Sequence, residues 1–149
     1  MDSGMAHAVQ AMSDDLDNLF RYARGLRFVW GEHDCSLFAA LAFDLRKGTD
    51  LHGLIKRLWP VRSERDYRRL LAARSLTTMT KELLGTPWSG DPLRGDIVIA
   101  NNGGAEVLAV ASPPIVLLPG PFGLEALGMA YVVDRWDVEA MKDFPCRNL

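Results

Sequence analysis

Along the first half of the chain apolar positions recur every three or four residues, the spacing of one helix face. Leu16, Leu19, Phe20 and Ala23 line such a face from Asp14 to about Arg24, with acids in the first turn and Arg21 and Arg24 in the last, an arrangement that suits the helix dipole. Gly25 is the stop. The strongest pattern covers residues 35 to 46, where Leu37, Phe38, Leu41, Ala42 and Leu45 fill one face, Asp34 is a good N-cap and Gly48 ends the run. Three shorter helices follow: Leu51 to Trp59, stopped by Pro60; one opened by Ser63 with Asp66 and running through Ala73; and Thr77 to Leu84, ended by Gly85.

From "TPWSGDPLRGD" onward the period changes to two and β-branched residues accumulate, which predicts strands at Ile97–Ala100, Val107–Ala111, Ile115–Leu118, Leu124–Leu127 and Val133–Val138. "NNGG" and "PGPFG" supply turn chemistry between them. Helices followed by strands in hairpin order predict an α+β domain, with a mostly antiparallel C-terminal sheet against which the helix beginning at Cys35 packs. One domain over residues 14–140 is expected, with tails at 1–13 and 141–149.

Composition narrows the function classes. The chain has 149 residues, 48% hydrophobic and 24% charged, which is globular, and a net charge of −2 gives no electrostatic case for nucleic acid or an anionic membrane. Apolar runs are broken by Pro113, Pro114, Pro119 and Gly128 well short of the roughly 20 residues a spanning helix needs. The N-terminal segment has no basic and apolar stretches of a secretory signal, so a cytoplasmic start is expected. Cys35 and Cys146 make neither a disulfide framework nor a zinc spacing, and no metal or cofactor is expected.

Chemistry concentrates at Cys35. With Asp34 as cap, it occupies the first helical position, where free N–H groups and the dipole favour a thiolate nucleophile. The plainer reading is a small residue packed into a core. A hydrolase also needs a base to take the thiol proton and return it to the leaving group. The histidines are His7, His33 and His52. His33 stands two residues before the cysteine and would have to fold back over the helix start; His52 lies in a polar turn. Trp30–Gly31 reads equally as an aromatic anchor and a turn glycine.

"VWGEHDCSLFAA" followed by "LRGDIVIA" resembles the two landmarks of NlpC-type cell-wall peptidases, a papain-like superfamily. In that family an aromatic–glycine pair precedes an Asp-Cys-Ser that opens the central helix, and an Arg/Pro-Gly-Asp segment opens the sheet. Here these are Trp30–Gly31, Asp34–Cys35–Ser36 and Arg94–Gly95–Asp96. The chain is closer still to an uncharacterised branch from phage and prophage tail gene clusters, through Phe38–Ala39–Ala40, "ERDYRRLL", Gly95–Asp96 and Arg135–Trp136–Asp137–Val138.

The resemblance implies a papain-like fold, with Cys35 as candidate nucleophile and Trp30, Gly31, Asp34, Ser36 and Asp96 as cleft or supporting residues. Active members carry the base at the start of the second sheet strand, in "His-Val-Gly-Ile"; the matching segment here is Glu106–Val107–Leu108–Ala109. Glu106 facing the thiol would raise its pKa. The implied function is a catalytically degenerate tail-associated protein, made in the host cytoplasm and carried in the virion tail. Its implied partners are other tail proteins or peptidoglycan fragments. The alternative is an active cysteine hydrolase of peptidoglycan stem peptides, with His33 or a partner chain's histidine as base. The segment Pro113–Pro121 is expected either to cover the cleft over Cys35 or to form an exposed apolar patch.

Overall fold

The computed structural model describes residues 15–141. The expected tail at 1–13 with His7, and the C-terminal segment with Cys146, lie outside the described residues. Helix α1 covers residues 15–23, followed by α2 (Cys35–Lys47), α3 (Leu51–Leu58), α4 (Glu64–Ala73) and α5 (Leu76–Leu84). Strands β1 (Ile97–Asn102), β2 (Ala105–Ser112), β3 (Ile115–Gly120), β4 (Gly123–Gly128) and β5 (Val132–Trp136) complete the chain. A single 3₁₀ turn, Met129–Tyr131, precedes β5. The architecture is α+β, and every strand pair is antiparallel.

Local capping explains the helix boundaries. The side chains of Asp34, Asp50, Ser63 and Ser75 each accept a bond from a backbone N–H of the first turn, satisfying donors that the helix itself leaves free. Helix α2 ends at Gly48 in the left-handed conformation, whose N–H donates to the Asp44 carbonyl. The Asp44 carboxylate in turn accepts bonds from Thr49 Oγ1 and from the N–H groups of Leu51 and His52, which fixes the α2–α3 corner.

The strand order is β4-β3-β2-β1-β5. The first four strands follow hairpin order as expected, but β5 returns to the far side of β1 instead of pairing with β4. The alternation read in β1 and β2 is also incomplete. Ile97, Ile99, Leu108 and Val110 face the helices, yet Val98, Ala100, Ala109, Ala111, Val116 and Leu118 on the other face are equally buried. Leu127, Met129 and Val132 pack over that second face, so "IVIA" and "VLAVA" are apolar at consecutive positions, as strands covered on both sides must be.

Two landmarks far apart in sequence meet here. Arg135 on β5 donates from Nε to Asp96 and from Nη2 to Asp137, both at 3.0 Å, and from Nη1 to the Ser89 carbonyl. Asp96 also accepts from the Leu93 N–H, and burial still pushes its carboxyl above the ordinary carboxylate range. Trp136 beside them is fully buried, with its indole N–H donating to the Gly85 carbonyl. Among the described residues no helix is long and apolar enough to cross a membrane.

Candidate functional site

The segment before α2 folds into a tight turn. Val29 and His33 exchange backbone hydrogen bonds of 3.0 and 2.8 Å, placing Trp30, Gly31 and Glu32 at its tip. Gly31 has φ +77°, and a Cβ there would lie 2.5 Å from the Val61 carbonyl oxygen. Glycine is therefore required both by the conformation and by the close approach of the α3–α4 connection. The Asp34 carboxylate is shared: one oxygen accepts the Gly31 N–H and the other the Leu37 N–H, each at 2.9 Å. A single buried side chain thus closes the turn and caps α2.

This turn borders a cleft of about 1020 Å³. Cys35 and Ser36 at the start of α2 line it, with Trp30, Gly31, Glu32 and Asp34 beside them. The helical side contributes Lys56, Trp59, Arg62 and Tyr67, and the sheet side Asn102, Val107, Pro119, Gly120, Pro121 and Glu125. The Pro-rich segment therefore divides: Pro119 and Pro121 line the cleft, whereas Pro113 and Pro114 are exposed and Phe122 is 93% exposed. Phe28, Trp30 and Tyr67 form an aromatic row, with ring centroids 4.6 and 5.4 Å apart.

Cys35 is half-buried and packs against the second face of the sheet. Burial pushes its thiol up to about 12, with the charges of Asp34 and then Glu125 adding to the effect; its own backbone N–H acts the other way. The helix N-terminus is outweighed by desolvation and two carboxylates. The thiol is therefore held in its protonated form near neutral pH, which removes the expected advantage of the helix-start position.

Glu125 was not anticipated. On β4 it pairs with Leu118, and its carboxylate reaches back over Gly120, where a Cβ would lie 2.3 Å from the Glu125 side chain. A sequence pattern identifies Glu125 as a strand residue but carries no sign that β4 borders the start of α2. Tyr67 was likewise noted only within "ERDYRRLL". Its hydroxyl donates to the Glu106 carbonyl at 2.8 Å, and burial followed by nearby Cys35, Asp34 and Glu106 pushes its pKa upward.

The remaining sequence candidates separate. Glu106 pairs with Asn101, on the same side of β2 as Leu108 and Val110, and is not among the residues lining the cleft. The carboxylate acting on the thiol is Glu125 rather than Glu106. His33, the candidate base, does not line the cleft either. Its ring meets Phe38 edge-on with centroids 6.1 Å apart, and its Nε2 is buried with no hydrogen-bond partner. Burial lowers its pKa despite the opposing charge of Asp34. The ring points to the core because Phe38, one turn into α2, offers it an apolar surface. Asp96 supports the sheet through Arg135, away from the cleft.

Among the described residues no histidine borders the cleft, and no group of three or more His, Cys, Asp and Glu is arranged to hold a metal ion. The cleft offers aromatic faces, carboxylates near a neutral thiol, and two cations on the helical side. A family model described as a domain of unknown function (DUF6950) matches residues 7–138. No curated protein and no solved structure matches the chain.

Proposed function

The chain belongs to the family described as a domain of unknown function (DUF6950), and we propose that this member is a binding module with a papain-like, NlpC-type fold. In this reading it has kept the nucleophile's position and lost the base, and it acts in a phage or prophage tail by holding a peptidoglycan stem peptide without cutting it. The tail association rests on the likeness of "WGEHDCSLFAA", "ERDYRRLL", Gly95–Asp96 and "RWDV" to the tail-cluster branch.

The observation that carries the binding reading is the state of Cys35. It opens α2 inside a cleft large enough for several residues of an extended peptide, with its thiol pushed up to about 12 and, among the described residues, no imidazole along the lining. A cysteine hydrolase requires the opposite, a depressed thiol pKa and an adjacent base. The row Phe28–Trp30–Tyr67 gives a ligand rigid apolar surface, and Lys56 and Arg62 give its carboxylates partners.

The test is titration of soluble muropeptides into the protein, followed by tryptophan fluorescence and calorimetry, with mass spectrometry of the ligand afterwards. Saturable binding that Trp30→Ala weakens about tenfold or more, with the muropeptide recovered intact, supports the module. Stem-peptide fragments that Cys35→Ser abolishes would establish the hydrolase instead. Absence of binding by the folded protein removes the cell-wall reading.

A further inference from the structure

The charge on the chain is unevenly placed. Residues 56–74 carry seven of the seventeen Lys and Arg residues but only two of the nineteen Asp and Glu, in a protein of net charge −2. This segment comprises the end of α3, the connection and α4, and α4 has no fully buried residue. Tyr67, Leu70 and Leu71 turn partly inward, leaving Arg65, Arg68 and Arg69 exposed. Arg65, Arg68 and Arg69 line a shallow groove of about 360 Å³ with Glu64 and Ala72, separate from the Cys35 cleft.

The two acids do not neutralise this ridge. The Asp66 carboxylate accepts the Arg62 backbone N–H, and the Asp66 N–H donates to Ser63 Oγ, so the role of Asp66 is to start α4. Glu64 pairs with Arg68 at 2.8 Å on the exposed surface. Among the described residues the side chains of Lys56, Arg57, Arg62, Arg65 and Arg69 have no hydrogen bond or ion pair. Five unpaired cations on one short stretch repel one another, and folding alone gives no reason to gather them.

We propose that the face of α4 carrying Arg65, Arg68 and Arg69 docks an acidic peptide segment of a partner protein. Charge complementarity defines the occupant. Helix α4 is ten residues long, about 15 Å, and the rest of the chain is predominantly acidic. A short acidic segment finds its cations there and meets no further demand, whereas a nucleic-acid backbone continuing past the ridge runs into like charge. Arginine suits the task because its planar fork pairs with carboxylates through two parallel bonds. The proposal is independent of what occupies the cleft.

The experiment is fluorescence anisotropy with a fluorescein-labelled peptide of alternating Glu and Leu, about a dozen residues long, at near-physiological salt. An oligothymidylate of similar length is run in parallel. Arg65→Glu/Arg69→Glu is compared with Arg21→Glu/Lys81→Glu, which makes the same change in net charge on α1 and α5. The expected result is saturable peptide binding weakened about tenfold or more by the ridge variant and little changed by the control. The milder Arg65→Gln/Arg69→Gln is to show an intermediate loss with an unchanged melting temperature, which separates docking from misfolding. Equal losses in the two charge-reversed variants, wild-type binding by the ridge variant, or tighter binding of the oligothymidylate would each overturn the proposal.

Discussion

The Tyr67 hydroxyl donates to the backbone carbonyl of Glu106 across 2.8 Å, joining α4 to the start of β2 beside the cleft. This bond connects the helical and sheet sides at a point where Glu106 contributes its main chain. Tyr67→Phe is expected to cost about 1 kcal/mol in denaturant unfolding, the net value of one hydrogen bond, while keeping the ring against Trp30. Tyr67→Ala removes that ring as well and is expected to weaken any ligand held on the aromatic row. Equal stability of wild type and both variants would disprove the link.

Cys35 is expected to be a slow thiol. Iodoacetamide labelling followed by mass spectrometry should be negligible near pH 7 and should accelerate with pH toward about 12. Glu125→Gln removes one of the charges that raise the pKa and should move the labelling profile to lower pH. The sign for stability follows from the raised pKa. The neutral thiol contributes fully below the unfolded value of about 8.5, and that contribution is lost as pH rises toward about 12. Cys35→Ala should therefore flatten the alkaline limb of the stability curve.

His33 gives the opposite limb. Its folded pKa is lowered by burial, so the neutral ring contributes stability above the unfolded value of about 6.5, and this is lost as pH falls through the folded value. His33→Leu should reduce the loss of stability on acidification, measured by urea denaturation at a series of pH values. An unchanged acid limb would show that the ring is not the titrating group.

At the Arg135 cluster one guanidinium serves two buried carboxylates. Arg135→Met should destabilise the fold by about 3–5 kcal/mol at pH 7, because Asp96 and Asp137 are left facing each other without a cation. The deficit should shrink as pH falls and Asp96, whose carboxyl pKa is already raised by burial, takes up a proton. A pH-independent deficit would instead point to lost packing.

Much of this fold is legible in the sequence because its instructions are local. Asp34 before Cys35, Ser63 before Glu64 and Gly48 after Lys47 act within a few residues, and the helix boundaries follow them. The position of Cys35 at a helix start is legible for the same reason. Its ionisation is not, because Glu125 reaches it from a strand ninety residues away and Gly120 leaves room for that reach. His33 is ambiguous from spacing alone, since a two-residue separation does not say whether the ring turns to the thiol or to Phe38. The union of Asp96 with Arg135 depends on β5 crossing to β1, which hairpin order does not encode.

That crossing also leaves one edge of the sheet dependent on a distant partner. The hairpins β1–β2, β2–β3 and β3–β4 each join neighbours in sequence, but one edge of β1 is paired only by β5, the last strand of the sheet in sequence. Without β5, Val98 and Ala100 would lie on an open edge and Asp96 would lack its cation. The β1–β5 pairing is thus the one of longest sequence range in the sheet and the one that brings Arg135 to the buried acid, so any chain in which β5 is undocked exposes a β1 edge open to pairing with another chain.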